Sequence, residues 1–597
     1  MSNFLVIVDP DSARRHAFIR QVEPRLALVE GLSISRLDLG DFSSLWAAGP
    51  RAPVDRYADS ELAAVVWGYA LHFNARITAE QVARTWTLGG APKPPPFDGY
   101  FAAAAFRRNR GLLVGADLLG LFPVYYASSN DVCIVSATPE PFRFHPLFPA
   151  AIDLRGLVSL LIVRAPLHGK TLLRGVSRLA SSHGLVWQPG AEAREVRQYS
   201  IPVIESAGRS TFAQDVARLD DALAAAVKRH VPASGACGIL LSGGRDSRMW
   251  AGYLAEDRLP LHALTLGERG DFEAECAAPV ATTLGAQHDL TSVDDAEYPW
   301  MADVQANHEH LVGGFGNVYI WGLLTALRQL PPIVVTGYLT DSIITGKSVT
   351  PGLHDFDVVL PKLVQRALSP EQLARLLRRD VFGSAVEDAI EDLRAAWNDS
   401  AAPELQRAWQ FQIAHSERCH VGAIPWRLSF GAWPVMPILD RHVLATVGTI
   451  PASSLANRKA QDALLRRRFP ALARLPHVAA NGEVVDPLLP SIAVRLSRLA
   501  TRLTRGRQRP DASRRVASGR DRRFNYRMYD FNSPGWRAIR RRAEPERDRL
   551  AGLFDMDELG TFVPPPDTTV ELAHPIFDSV GRKLLVGLML WAREHLP

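Results

Sequence analysis

Cys237-Gly238-Ile239-Leu240-Leu241-Ser242-Gly243-Gly244-Arg245-Asp246-Ser247-Arg248-Met249-Trp250 is the stretch on which the reading of this chain turns. The short apolar run Ile239–Leu241 predicts a buried strand, and the residues after Ser247 predict a helix. Between them, two glycines let the backbone approach an anion closely. The helix that follows aims its free N–H groups, and the positive end of its dipole, at the same place. Ser242 and Ser247 add hydroxyl donors, and Asp246 is suited to hold a magnesium ion against phosphate oxygens. The G-x-x-x-x-G-K-[ST] spacing is absent, so the turn reads either as a pyrophosphate site of another kind than the Walker loop or as a plain strand–turn–helix connection.

Around this stretch the chain has the composition of an ordinary globular protein: 597 residues, 47% apolar, 22% charged. That length predicts two or more domains. A net charge of +5 does not call for nucleic acid as a partner. Cys133, Cys237, Cys276 and Cys419 stand alone, without C-x-x-C pairs, which argues against zinc ribbons and disulfide frameworks and fits a reducing cytosol. Phe4–Val8 is too short for a signal peptide and meets Asp9-Pro10. The apolar run from Leu584 to Trp591 is far below the ~18 residues that span a bilayer. A cytoplasmic protein with no membrane partner is the expectation.

Leu261-His262-Ala263-Leu264-Thr265-Leu266-Gly267 is a second apolar run, followed by a helical pattern from Glu273 to Leu284. Strand, helix and strand in alternation predict a doubly wound parallel sheet, with ligands beyond the C-terminal strand ends. Upstream the pattern is different. Phe4–Val8, Gly111–Gly115 and Val132–Ser136 read as short strands broken by Gly, Pro and Asp, a mostly β region. Around residues 202–210 that pattern gives way to Phe212, Val216, Leu219, Leu223 and Ala226 at helical spacing. The predicted domains are therefore 1–205 and 206–597.

The form S-G-G-x-D-S at Ser242–Ser247 resembles the loop of enzymes that split ATP between the α and β phosphates, the asparagine synthetase family in particular. A second stretch supports the likeness: Ile333-Val334-Val335 runs into Thr336-Gly337-Tyr338-Leu339-Thr340-Asp341, where the family carries S-G-E-G-x-D-E. The resemblance implies an adenine nucleotide α-hydrolase-like, ATP-pyrophosphatase domain. Its ATP site would be drawn from Leu241, Ser242, Gly243, Gly244, Asp246 and Ser247, from Thr265, Leu266 and Gly267 near the adenine, and from Thr336 and Gly337. Mg2+ would be held by Asp246 and Asp341. Trp433 to Val443 resembles the family's R-x-P-F-L-D segment through Pro437, Leu439 and Asp440, and Ile450-Pro451, Leu465-Arg466 and Leu475-Pro476 extend the match.

Two departures bear on the chemistry. Tyr338 replaces the family's glutamate and resembles β-lactam synthetases, where a tyrosine helps deprotonate an amine of the same substrate molecule; Glu371 and Glu417 are the candidate helpers. The family lysine of K-x-x-L-R falls at Asp462 by spacing, which leaves Lys459 as the candidate for the adenylate and its oxyanion.

The first two hundred residues resemble the glutaminase domain of the same family through Phe97-Asp98-Gly99-Tyr100-Phe101, Leu113–Asp117 with Gly120, Pro123–Tyr126 and Gly169–Val176. That implies an Ntn-hydrolase-like αββα fold. The family's catalytic cysteine follows the initiator methionine, and here Ser2 takes that position, so loss of glutaminase activity is expected. The nucleophile would then be an amine already on the substrate. Within the family that points to ring-closing relatives: lasso-peptide cyclases, which join a peptide's N-terminal amine to an Asp or Glu side chain, and β-lactam synthetases. A precursor peptide and a leader-cleaving protease are the expected partners. An amide ligase for a small-molecule or glycan acceptor, and a non-catalytic binding protein on a synthetase scaffold, stay open. Twelve arginines between Arg495 and Arg527 against Asp511 and Asp521 predict a basic mobile loop near 500–525. His308-Glu309-His310 lacks the H-E-x-x-H spacing of a metal helix.

Overall fold

The computed structural model describes residues 2–596 apart from 87–93, 149, 204–209, 234, 257–258, 347–354, 365–366, 401–403, 479–483, 488–521 and 575. Among the described residues the N-terminal half contains fourteen strands: β1 (Ser2–Val8), β2 (Ser33–Leu39), β3 (Phe42–Ala48), β4 (Val54–Ala58), β5 (Leu62–Gly68), β6 (Leu71–His72), β7 (Ala75–Arg76), β8 (Phe101–Arg107), β9 (Gly111–Ala116), β10 (Tyr125–Ser128), β11 (Cys133–Ser136), β12 (Ser177–Arg178), β13 (His183–Trp187) and β14 (Arg194–Arg197). Twelve of them form two six-stranded sheets, ordered β12-β10-β11-β1-β3-β2 and β14-β13-β9-β8-β5-β4.

Apolar side chains on both faces of β1 bury Phe4 to Val8 almost completely. The two sheets face each other through stacked rings, Phe4 on Trp67 at 4.0 Å and Phe42 on Phe106 at 5.0 Å. Alternation along β8 explains its run of alanines. Ala102 and Ala104 join the inter-sheet core, whereas Ala103 and Ala105 face the opposite side with Val82 and Ala83 of helix α2 (Ala79–Thr85). Helix α1 (Ser12–Leu26) covers the other outer face with Phe18, Ile19 and Val22, and its N-cap Asp11 accepts from the Arg14 N–H. The layers thus run helix, sheet, sheet, helix. Helix α3 (Leu154–Val163) completes this half.

The expected boundary at 205/206 falls on residues outside the described set. Helix α4 (Phe212–His230) opens after it with a capping box between Thr211 and Gln214. Next come β15 (Cys237–Leu240), α5 (Arg245–Glu256), β16 (Leu261–Leu266), α6 (Phe272–Leu284) and β17 (Gln287–Thr291), then α7 (Tyr298–Glu309), β18 (Ile333–Val335) and β19 (Trp433–Val435). The five strands form one parallel sheet, β17-β16-β15-β18-β19. Strand order reverses between β15 and β18, so the turns after these two strands flank the crevice of a doubly wound sheet.

Asp440, one of the residues that carried the resemblance, is a structural anchor. It caps the helix Arg441–Thr449 and receives Arg229 at 2.7 Å and His230 at 3.2 Å from the end of α4. Burial alone raises its carboxyl pKa, but these two partners hold it well below the ordinary range. The halves are joined by Arg441 on Asp98 at 2.9 Å, by Arg418 donating to the Gly120 and Leu179 carbonyls, and by Trp433 against Tyr100. The run Leu584–Trp591 lies inside the last helix, Val580–His595, and is fully buried in the protein core. No helix among the described residues is long and apolar enough to cross a membrane. The basic loop near 500–525 lies outside the described residues up to 521; beyond it, Arg522 pairs with Glu275 and Arg527 with Asp271 at the start of α6.

Candidate active site

The turn after β15 is held from within. Ser242 N–H donates to Ser247 Oγ at 3.0 Å, the two serine hydroxyls are 3.0 Å apart, and Gly244 N–H donates to Ser242 Oγ at 3.2 Å. Leu241 N–H bonds the Leu264 carbonyl at 3.0 Å, and Thr265 Oγ1 donates to the Leu241 carbonyl at 2.6 Å, which ties the first turn to the strand end carrying Leu266 and Gly267. Gly243 is required by packing, since a Cβ there would stand 2.7 Å from Val478. Val478 N–H in turn donates to the Gly243 carbonyl at 2.9 Å. Arg248, buried in α5, fixes that approaching segment by donating to the carbonyls of Leu472, Leu475 and Pro476.

The turn after β18 packs directly against the first. A Cβ on Gly337 would meet Ser247 N at 3.3 Å and Asp246 Cβ at 3.5 Å. Leu339 adopts φ +65°, a left-handed conformation costly for a branched residue, and starts the short helix Thr340–Ile344 that carries Asp341. Asp246 and Asp341, far apart in sequence, are thereby brought to one guanidinium. Arg458 Nη1 lies 3.0 Å from both oxygens of Asp246, and its Nη2 lies 3.3 Å from Asp341. Gln461 Nε2 adds a bond to Asp246 at 2.7 Å. Burial and the Asp341 charge raise the Asp246 carboxyl pKa, and Arg458 and Gln461 pull it back.

Two all-oxygen ligands converging on one cation fit Mg2+ well, and Arg458 supplies the positive charge they share here. Lys459 is exposed and borders a surface cavity of about 480 Å³ with Phe212, Ser453 and Asp462. Asp462, at the family lysine's spacing, pairs with Arg245 at 2.9 Å. Arg458 escaped the sequence reading because its direction depends on left-handed φ values at Asn457 (+52°) and Arg458 (+63°), which nothing in the local composition signals.

Tyr338 is half-buried. Burial raises its phenol pKa, Tyr529 adds to that, and Arg427 opposes it. Arg427 is itself paired with buried Glu309, at 2.7 Å. The phenol is therefore protonated at neutral pH. Of the two proposed helpers, Glu417 ends a π-helical turn, Ile413–Glu417, and accepts from Ser342 Oγ at 3.1 Å, one residue from Asp341. Glu371 is exposed and borders a different cavity, with Leu360 and Phe577. Thr336 is buried, and its N–H bonds the Val435 carbonyl at 3.1 Å.

No curated protein matches the chain. Among solved structures, the glutamine phosphoribosylpyrophosphate amidotransferase of B. subtilis, complexed with ADP and GMP, is similar at 10% identity and a TM-score of 0.22. The match covers 48% of this chain and spans 65% of that one, and a likeness of this size carries no argument. Residues 218–479, which hold both turns, Tyr338, Arg458 and the whole parallel sheet, match the family model described as asparagine synthase. That family is one of ATP-dependent carbon–nitrogen ligases that form AMP and pyrophosphate, and the match spans less than half of this chain.

Proposed function

We propose that this protein closes a macrolactam on a lasso-type precursor peptide, joining the N-terminal amine to an Asp or Glu side chain through an acyl-adenylate. The observation that carries the ATP chemistry is the meeting of Asp246 and Asp341 on one cation beside the Ser242–Ser247 turn. In this reading the N–H groups of Gly243 and Gly244 and the start of α5 receive the phosphates. Asp246 and Asp341 would hold Mg2+, which supplies charge neutralisation for the departing pyrophosphate. Arg458, released from the carboxylates, then has its guanidinium available for adenylate oxygens.

Ring closure follows from the source of the amine. All four cysteines are buried, and burial pushes up the thiols of Cys133, Cys237 and Cys276, to about 12 for Cys237 and about 11 for Cys276. A buried, protonated thiol is a poor nucleophile for releasing ammonia from glutamine. The amine must lose a proton as its nitrogen attacks the acyl-adenylate and AMP leaves, and in this reading the neutral Tyr338 phenol relays it, accepting the proton from nitrogen while passing its own to water. A leader-cleaving protease that frees the peptide's N-terminus belongs to the same proposal.

The test supplies ATP, Mg2+ and a peptide with a free N-terminal amine and an internal carboxylate. Pyrophosphate, AMP and a product lighter by one water are expected, with no glutamate formed when glutamine is added. ADP as the product would sink the ligase reading. Pyrophosphate release with joining only to a separate amine would instead favour a small-molecule or glycan acceptor.

A further inference from the structure

Outside the ATP site, three polar side chains from distant parts of the chain meet in the interior. Glu140 opens the short 3-10 helix Glu140–Phe144 in the N-terminal half, His310 follows α7, and His595 ends the last helix. Glu140 and His310 are 5% and 0% exposed. Glu140 Oε2 lies 3.0 Å from His310 Nε2 and 2.8 Å from His595 Nε2. One ligand atom from each residue falls within 4.8 Å of the other two. Arg143 donates to Glu140 Oε1 at 2.7 Å, so the other oxygen alone faces both imidazoles.

The hydrogen bonds fix the state of His595. Its Nδ1 is 2.8 Å from the Trp591 carbonyl, and a carbonyl only accepts, so Nδ1 carries the proton. A neutral ring of that tautomer presents a bare lone pair at Nε2, aimed at a carboxylate oxygen. Two lone pairs at this separation repel, and a positive centre between them removes the conflict. A backbone carbonyl that fixes the far nitrogen, and a cationic donor on the spare carboxylate oxygen, are the partners that surround metal ligands in proteins. Glu594, 3.7 Å from Arg143, offsets the guanidinium charge.

We propose that Glu140, His310 and His595 bind one divalent transition-metal ion of the zinc class. Two imidazoles and a carboxylate favour such an ion over magnesium or calcium, and three protein ligands leave a fourth position for water. Opening the two Glu140–imidazole separations by a few tenths of an ångström reaches the roughly 3.3 Å between tetrahedral ligands with ~2.0–2.1 Å bonds, and the two imidazole nitrogens already lie within 4.8 Å of each other. The ion would staple the last helix and the end of α7 to the N-terminal half. It takes no part in the ligase reaction.

The test uses the full chain, freed of metal and dialysed against zinc or cobalt. About one ion per chain is expected, with the visible absorption of tetrahedral cobalt and a Tm that rises with zinc and falls with chelator. E140Q and H595Q should each abolish binding, and R143A should weaken it about 10–100-fold. Circular dichroism separates loss of metal from loss of fold, and the cobalt spectrum of the unaltered chain stands even where a variant does not fold. No bound ion after dialysis and a Tm indifferent to zinc would overturn the proposal, because a doubly protonated His595 then supplies the charge. Zinc retained equally by E140Q and H595Q would also overturn it.

Discussion

Asp117 and Asp246 each follow an apolar strand, β9 in the N-terminal half and β15 in the C-terminal half, and the two carboxylates are held in opposite ways. Asp117 accepts backbone N–H bonds from Leu119, Leu121 and Phe122 at 3.2, 3.0 and 2.8 Å. It is sealed in the core, where burial still raises its pKa to about 6. Asp246 accepts from the side chains of Arg458 and Gln461, groups that can swing away when a better cation arrives. A charge tied to backbone is scaffold. A charge tied to side chains can be released to a ligand. In the proposed reading the N-terminal sandwich acts as support, and the chemistry is concentrated where β15 and β18 end.

The strongest way to break this contrast is to remove the exchangeable charges. Asp246→Ala or Asp341→Ala should lower substrate-dependent pyrophosphate release by ~10⁴-fold, since a cation clamp on phosphates supplies several kcal/mol. The fold should remain intact by circular dichroism. Near-normal release from either variant would show that the two carboxylates do not share an ion.

Asp440 tests whether a resemblance-carrying residue acts through the fold. Asp440→Asn takes a fully buried carboxylate away from half-buried Arg229 and from His230, and should cost about 3 kcal/mol in denaturant unfolding. Its folded-state pKa lies below its unfolded value, so its contribution is present above the ordinary carboxylate pKa. That contribution is lost as pH falls below that value toward the folded-state pKa. Acid unfolding of the variant should accordingly be less steep over that window than that of the parent.

Tyr338→Phe separates the two chemical steps. Pyrophosphate release should persist while amide product falls ~10²-fold, the usual share of a proton-transfer group. A variant that makes product at the parental rate would leave Tyr338 as a packing residue against Tyr529 and Arg427.

The smallest effect is expected where the two halves meet. Arg441→Ala leaves buried Asp98 without its charged partner, with only the backbone N–H of residue 441 still donating to it, and should cost about 1–2 kcal/mol of stability, tempered by the partial exposure of Arg441. Turnover should be unchanged, measured well below the unfolding transition. A large loss of turnover would make the domain interface part of the catalytic machinery and would erase the contrast between the halves.

What the sequence determined by itself is local. An apolar strand, a glycine turn and a helix start are written in consecutive residues, so the Ser242–Ser247 and Thr336–Asp341 turns were legible, as was the alternation that makes a parallel sheet. The change from short broken strands to helical spacing near residue 210 was legible for the same reason. Three things were decided only in the folded chain. Arg458, and not Lys459, faces Asp246 and Asp341, because two successive left-handed residues rotate the helix entry. Glu417 reaches Ser342 through a π-turn that no spacing rule anticipates. Glu140, His310 and His595 meet from positions separated by 170 and 455 residues from Glu140. Each depends on where distant segments dock, and docking is set by the sum of many apolar contacts rather than by any motif.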